Sequence, residues 1–243
     1  MVQSCVIFDF DGVIADTEAQ HLIAYNEALL RLAGKLGTTL RIDPSSYYQR
    51  YIAFGNREGF ECILRDAQVQ VSPPLLEELC RVKDHIMDRE LSEISAPLAG
   101  VKDTLAMLAG WHVPLGICSG ARRVEILRIL EAFHLRDHFQ AIVAIEDVRR
   151  GKPDPEGYLQ AFDTLQLQCN GELELPRSLV IEDTAGGAAA AHSAGLRVLG
   201  VATSSPLEKV QTWADFAVPD LSHVQPQQLR SWLKLAGTSG FVA

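Results

Sequence analysis

The chain opens on a short apolar run, Cys5-Val6-Ile7-Phe8, that ends at once in Asp9-Phe10-Asp11-Gly12. A brief β-branched run closed by glycine predicts a buried strand rather than a helix. From Asp16-Thr17 the period changes. Thr17 reads as a helix start, with Glu18 in the first turn. Leu22, Ile23, Tyr25, Leu29, Leu30 and Ala33 follow at helical spacing, and Gly34 predicts the stop. Asp43-Pro44 opens a second helix through Tyr47, Tyr48 and Tyr51, broken at Gly55-Asn56-Arg57. Phe60, Ile63, Leu64 and Ala67 predict a third. Pro73-Pro74 opens a fourth, carrying Leu75, Leu76, Leu79, Val82 and Ile86. Residues 16–95 therefore read as all helix.

After Ala96-Pro97 strands alternate with helices. Strands are predicted at Val113–Cys118, Ala141–Ala144, Ser178–Ile181, Arg197–Val201 and Phe216–Val218. The intervening helices center on Val101–Leu108, Val124–Leu130, Tyr158–Leu165, Ala188–Ala194 and Leu207–Trp213, with a last one over Pro226–Leu235. Such alternation predicts an α/β fold, a Rossmann-like parallel sheet covered on both faces. The helical stretch interrupts it after the first strand. The expected organization is a core of residues 1–15 and 96–243 with an inserted helical cap of residues 16–95. Residues 167–176 form a long link between helix and strand with no evident task.

The 243 residues suffice for a substantial core, and a net charge of −9 argues against a nucleic-acid surface. Any phosphate ligand then needs local positive charge. The five cysteines are odd in number and scattered, which disfavors a disulfide framework or a zinc cluster. The opening residues lack the basic-then-apolar pattern of a secretory signal, so none is expected, and no stretch reaches the roughly 18 apolar residues of a membrane span. A cytoplasmic protein without nucleic-acid or membrane partners is expected, as a monomer or weak homodimer.

The predicted strands end in polar residues: Asp9 and Asp11 after the first, Ser119-Gly120 after the second, and Glu182-Asp183 after the fourth, with Lys152 on a loop between. In a parallel sheet these ends gather on one edge, where ligands bind. Paired carboxylates hold a hard cation such as Mg²⁺. A hydroxyl, backbone N–H groups and an ammonium suit a phosphate. Together they describe phosphoryl transfer. Taken singly, each has a plainer reading: an Asp-rich turn, a Ser-Gly turn, a solvated lysine, a helix cap.

In its four ordered motifs, Asp9-Phe10-Asp11-Gly12-Val13, Ser119-Gly120, Lys152-Pro153 and Glu182-Asp183, the chain resembles haloacid dehalogenase superfamily hydrolases with an α-helical cap. Phosphoglycolate-phosphatase-like and β-phosphoglucomutase-like proteins are the nearest in pattern. The resemblance implies that Asp9 is the nucleophile and forms an aspartyl phosphate. It makes Asp11 the general acid and then the base, with its backbone carbonyl on Mg²⁺. Ser119 and Gly120 would hold phosphoryl oxygens, Lys152 would neutralize charge, and Asp183 and Glu182 would complete the metal site. His21 on the first cap helix, Arg57 at the cap break, and Arg122 or Arg123 after the Ser-Gly turn are candidates for substrate contact, or else surface residues. His134 and His138 lack the intervening glutamate of a zinc protease and read as a polar helix end.

The expected function is a Mg²⁺-dependent phosphatase acting on a small phosphorylated metabolite, with a sugar phosphate as the candidate substrate and a β-phosphoglucomutase-like isomerase as the alternative. Phe54-Gly55-Asn56-Arg57-Glu58 departs from the mutases' Lys-Gly-x-x-Arg pattern: the lysine is absent and the arginine is one step closer. Asp11 speaks against a true dehalogenase, because those relatives lack the second aspartate. A catalytically idle interaction protein is the remaining possibility, disfavored by the intact motifs.

Overall fold

The computed structural model describes residues 4–52, 54–91, 94 and 96–235. Six strands, β1 (Val6–Phe8), β2 (Leu115–Cys118), β3 (Ala141–Val143), β4 (Leu179–Glu182), β5 (Arg197–Val201) and β6 (Phe216–Val218), pair in parallel in the order 3-2-1-4-5-6. The order reverses between β1 and β4. Loops diverge there and leave a crevice at the carboxyl ends of the strands. Asp9 follows β1 and Asp183 follows β4, so these two carboxylates flank that crevice.

Side-chain alternation sets the register. Val6, Phe8, Leu179, Ile181 and Leu199 belong to one buried cluster, with Leu105 of α6 (Val101–Gly110), Ile126 of α7 (Arg123–Ala132) and Leu229 of α11 (Pro226–Trp232). Ile7, Val180 and Val198 belong to another, with Tyr158 and Phe162 of α8 (Glu156–Gln168) and Ala188 of α9 (Ala185–Ser193). A one-residue slip would exchange the two sets and mispack both faces. The short α10 (Leu207–Val210) packs beside β5 and β6.

Between β1 and α6 lie α1 (Glu18–Arg31), α2 (Ala33–Leu36), α3 (Pro44–Ser46) with a π-helical turn at Tyr47–Tyr51, α4 (Asn56–Asp66) and α5 (Pro73–Glu90). α1 packs along α5, and α4 packs against both the π turn and α5. Two boundaries differ from the sequence expectation. Gly34 lies inside α2, and the stop is Gly37, whose φ of +71° a glycine adopts without strain. Gly55 is the only breaker of its trio. It caps α4, while Asn56 and Arg57 form that helix's first turn. The chain leaves the sheet and returns to it side by side, the Leu98 N–H donating to Ile14 O at 2.9 Å. Among the described residues, no helix is long and apolar enough to cross a membrane.

Gly12 joins fold to site. It has φ +74°, and a Cβ there would stand 2.1 Å from Asp183 Oδ2. Gly12→Ala is expected to cost about 1–3 kcal/mol, from the strained backbone and the displaced carboxylate together. Urea denaturation of the two proteins measures it.

Candidate active site

Asp9 continues the β1 ladder by one bond, its N–H donating to Ile181 O at 2.9 Å, and is 7% exposed. Lys152 Nζ donates to Asp9 Oδ1 at 2.6 Å and to Glu182 Oε1 at 2.7 Å, above the Tyr158 ring. Glu182 is fully engaged. Oε1 also accepts from Tyr158 OH at 3.0 Å, and Oε2 accepts from Asp183 N, Thr184 N and Thr184 Oγ1, each at 2.9 Å. Gly187 makes room for this carboxylate, because a Cβ there would lie 1.6 Å from Oε1.

Burial, and then the neighboring Glu182 and Asp11 charges, outweigh Lys152 and push Asp9 up to about 8. Burial with the Glu182 and Asp9 charges raises Asp183 well above the carboxylate range. For Glu182 burial acts the other way from the outcome: Lys152 and the Thr184 donors overcome it and hold the carboxyl low. Burial likewise opposes the charge on Lys152, and Asp9 and Glu182 overcome it, so the ammonium is held well above its usual range.

This donor set fits a hard divalent cation. Ligand oxygens of Asp9, Glu182 and Asp183 lie within 4.8 Å of one another. Asp183 Oδ2 accepts from Ser204 Oγ, while Oδ1 is buried with no partner among the described residues. An orphaned buried carboxylate oxygen beside like charges is what a bound cation would satisfy. Glu182, expected from sequence as a possible ligand, lies in the cluster but spends both oxygens on Lys152 and the turn after β4. Asp9 and Asp183 are the carboxylates of the cluster left with an oxygen that could hold an ion.

The Asp11 side chain is not in that cluster. Oδ1 accepts from Thr17 Oγ1, and Ser119 Oγ lies 3.5 Å from Oδ2. Thr17 therefore spends its hydroxyl on Asp11 and makes no side-chain cap for α1. His21 Nε2 is 3.8 Å from Asp11 Oδ1. Burial opposes ionization of Asp11, but His21, the Thr17 hydroxyl and the Lys83 charge prevail and hold its carboxyl low.

Behind His21 stands Lys83, fully buried on α5. Its Nζ lies 2.9 Å from His21 Nδ1, donates to Asn56 Oδ1, and sits 4.3 Å from the center of the Tyr25 ring. An ammonium beside Nδ1 leaves that nitrogen as acceptor, so Nε2 carries the proton that faces Asp11. Burial lowers Lys83 to about 8, against the pull of Glu125, Asp84, Asp11 and Glu18.

Asp9, Asp11, Ser119, Gly120, Lys152, Glu182, Asp183 and His21 thus line one cavity of about 90 Å³. Arg57 and Arg123 do not. Arg57 lies about 100° around α4 from Asn56 and pairs with Glu61 at 3.2 Å. Arg123 pairs with Asp147 and donates to Ile142 O at 3.0 Å, bracing the end of β3. Arg122 bonds Glu125 on its own helix and Asp88 of α5. His134 takes φ +58° just after α7, and His138 ends a 3₁₀ turn, neither in the cavity.

The residues missed from sequence are Lys83, Glu18, Asn56, Tyr25 and Tyr47. Lys83 did carry a signal: it occupies the buried stripe of α5 with Leu76, Leu79, Ile86 and Met87, where a charge is out of place.

The sequence pattern of the haloacid dehalogenase-like hydrolases matches residues 6–201, so the chain belongs to that family. It is a phosphoric monoester hydrolase. A phosphorylated carbohydrates phosphatase of Thermotoga maritima is 30% identical over 201 residues, covering 82% of this chain and 85% of its own. A β-phosphoglucomutase of Bacillus subtilis is 28% identical over 209 residues, covering 83% and 84%. The crystal structure of a β-phosphoglucomutase from Clostridium difficile superposes with a TM-score of 0.82 at 21% identity, covering 96% of this chain and 98% of that one, and shares the fold.

Lys83→Met keeps the apolar stem and removes the charge that orients His21. We expect a folded protein with phosphatase activity lowered roughly 10–100-fold, the usual scale for a misplaced acid–base group. Circular dichroism and steady-state rates check the two halves.

Proposed function

We propose that the protein is a Mg²⁺-dependent phosphatase that hydrolyzes a small phosphorylated metabolite through an aspartyl phosphate on Asp9. The observation that carries this reading is the division of the strand-end carboxylates. Asp9 and Asp183 face the cation-binding side around Lys152, while Asp11 stands apart with Thr17, His21 and Ser119.

Asp9 gives one oxygen to Lys152 and keeps the other to attack phosphorus. As that bond forms, the bond from phosphorus to the leaving oxygen breaks, and Asp11 delivers a proton to the departing alkoxide. Asp11 is low in the free site, and an arriving phosphate anion raises it toward the protonated form. In the second half, Asp11 takes a proton from water as the water attacks the phosphorus of the aspartyl phosphate, releasing phosphate and restoring Asp9. Ser119 and the Gly120 N–H hold phosphoryl oxygens, and Lys152 neutralizes the charge shared between phosphate and nucleophile. Asp9, Asp183 and the Asp11 carbonyl would hold Mg²⁺, which would supply electrostatic stabilization of the transferring group.

Residues 16–95 serve as a cap over a core of residues 1–15 and 96–243. A cavity of about 90 Å³ is far below the roughly 300 Å³ at which small-molecule pockets begin, so the helices must open to admit a substrate. Closure then excludes water from the phosphoryl site.

The relative that is a mutase raises the question of phosphate transfer to a sugar. A mutase must hold a second phosphate against the helices. From that side the cavity is lined by Glu18, His21, Tyr25, Tyr47, Asn56 and Glu58, with no arginine or lysine among the described residues. That favors water as the acceptor.

Phosphate release from a panel of sugar and small organic phosphates should require Mg²⁺ and fall by more than roughly 10³-fold in Asp9→Asn. Conversion of glucose 1-phosphate to glucose 6-phosphate with little free phosphate would establish the mutase instead. Mg²⁺ at 100 times its Kd should raise stability by about 2.7 kcal/mol, seen as a higher Tm. Asp183→Asn should abolish that increment.

A further inference from the structure

The helical side of the cavity holds a buried carboxyl group that the phosphoryl chemistry does not use. Glu18, the first residue of α1, is 6% exposed and lines the cavity. Its Oε2 accepts from Tyr47 OH at 2.6 Å. Its Oε1 has no hydrogen-bond partner among the described residues. That oxygen is open to the cavity rather than sealed in the interior, so a hydroxyl group entering the cavity can complete its bonding in place of water.

We propose that Glu18 and Tyr47 receive the hydroxyl groups of the leaving alcohol, so that the enzyme selects phosphomonoesters of uncharged, polyhydroxylated alcohols over those bearing a carboxylate or a second phosphate. The inference deepens the phosphatase reading and rests on it.

Three features support it. The carboxyl group can accept a hydroxyl proton whatever its own state. Burial, joined by the Asp11 and Asp9 charges, pushes it up to about 8, so near neutrality it also donates. Next, an anionic leaving group would meet no counter-charge on this side. Lys83 already spends its three N–H groups on His21, Asn56 and the Tyr25 ring. Among the described residues the one guanidinium lining the cavity is Arg150, on the opposite loop, exposed and 3.0 Å from Asp154. Finally, Tyr47 is 2% exposed and its ring packs against Tyr25 and Tyr48, so its hydroxyl is fixed in place and aims Glu18. A fixed, water-poor hydrogen-bonding site discriminates strongly against a partner that lacks the matching group.

The test compares kcat/KM for a hexose monophosphate, glycerol phosphate, a hexose bisphosphate, phosphoglycolate and p-nitrophenyl phosphate, with Mg²⁺ present. Wild type should prefer the esters whose alcohol is uncharged and hydroxylated. The ratio of kcat/KM for the hexose monophosphate to that for p-nitrophenyl phosphate should fall about 10–100-fold in Glu18→Ala and about 3–10-fold in Tyr47→Phe. The change should appear chiefly in KM. A ratio that stays within about 2-fold in both variants overturns the inference. So does a wild-type preference for the bisphosphate or phosphoglycolate that Arg150→Ala removes, which would put the leaving group at the rim. Should Glu18→Ala fail to fold, Tyr47→Phe and the wild-type order of substrates decide. Wild type that turns over no ester in an Asp9-dependent way overturns the phosphatase reading itself. Turnover with the wrong order overturns this inference alone.

Discussion

Three buried carboxylates share one ammonium. Asp9, Glu182 and Asp183 converge at the carboxyl ends of β1 and β4, and Lys152 bridges two of them. Asp183 is left with an unpartnered oxygen and like charges for neighbors. Such a cluster is unfavorable without a further positive charge. The rest of the edge follows from that need. Gly12 and Gly187 lack side chains where one would collide with Asp183 or Glu182. Five donors fix Glu182, so Lys152 can stand between it and Asp9 rather than fold back to solvent.

A second polar cluster faces the first across the cavity and is built mainly by the helices. Lys83, His21, Asn56 and Thr17 all bear on Asp11, directly or through one another. Asn56 passes the connection on to Asp84, which lies 3.5 Å from Arg122 at the start of α7. The two clusters divide the labor by charge. One gathers anions that await a cation, while the other surrounds a single carboxylate with donors and keeps it ionized. Two aspartates two residues apart in sequence thus occupy opposite electrostatic environments.

The sheet, its flanking helices and the strand-end residues were legible in the sequence because each depends on local pattern. Alternation places Val6 and Phe8 opposite Ile7, and a parallel sheet gathers its strand ends whatever the loops do. The helical side was legible as helices but not as a site. Which face of α4 meets the cavity depends on the angle at Gly55, and that angle decides that Asn56 and not Arg57 faces inward. Arg123 stands outside the cavity for a similar reason: Asp147, two dozen residues on, captures it. Glu18 stood in plain sight as a first-turn acid, a placement usually explained by the helix dipole. Its burial becomes visible only once Tyr47 is brought over it.

The position of β1 bears on how the protein comes to be made. Val6–Phe8 leaves the ribosome well before both its neighbors, which lie far downstream at Leu115–Ile117 and Leu179–Ile181. All of residues 16–95 emerges before either neighbor exists. Until β4 is synthesized the apolar strand has an unpaired edge, the kind of surface that invites wrong partners. Assembly of the sheet is therefore governed by distant pairings, which close slowly. The acidic cluster cannot form until β4 docks and carries Glu182 and Asp183 to Asp9, so the nascent chain is spared its crowded charges before that pairing.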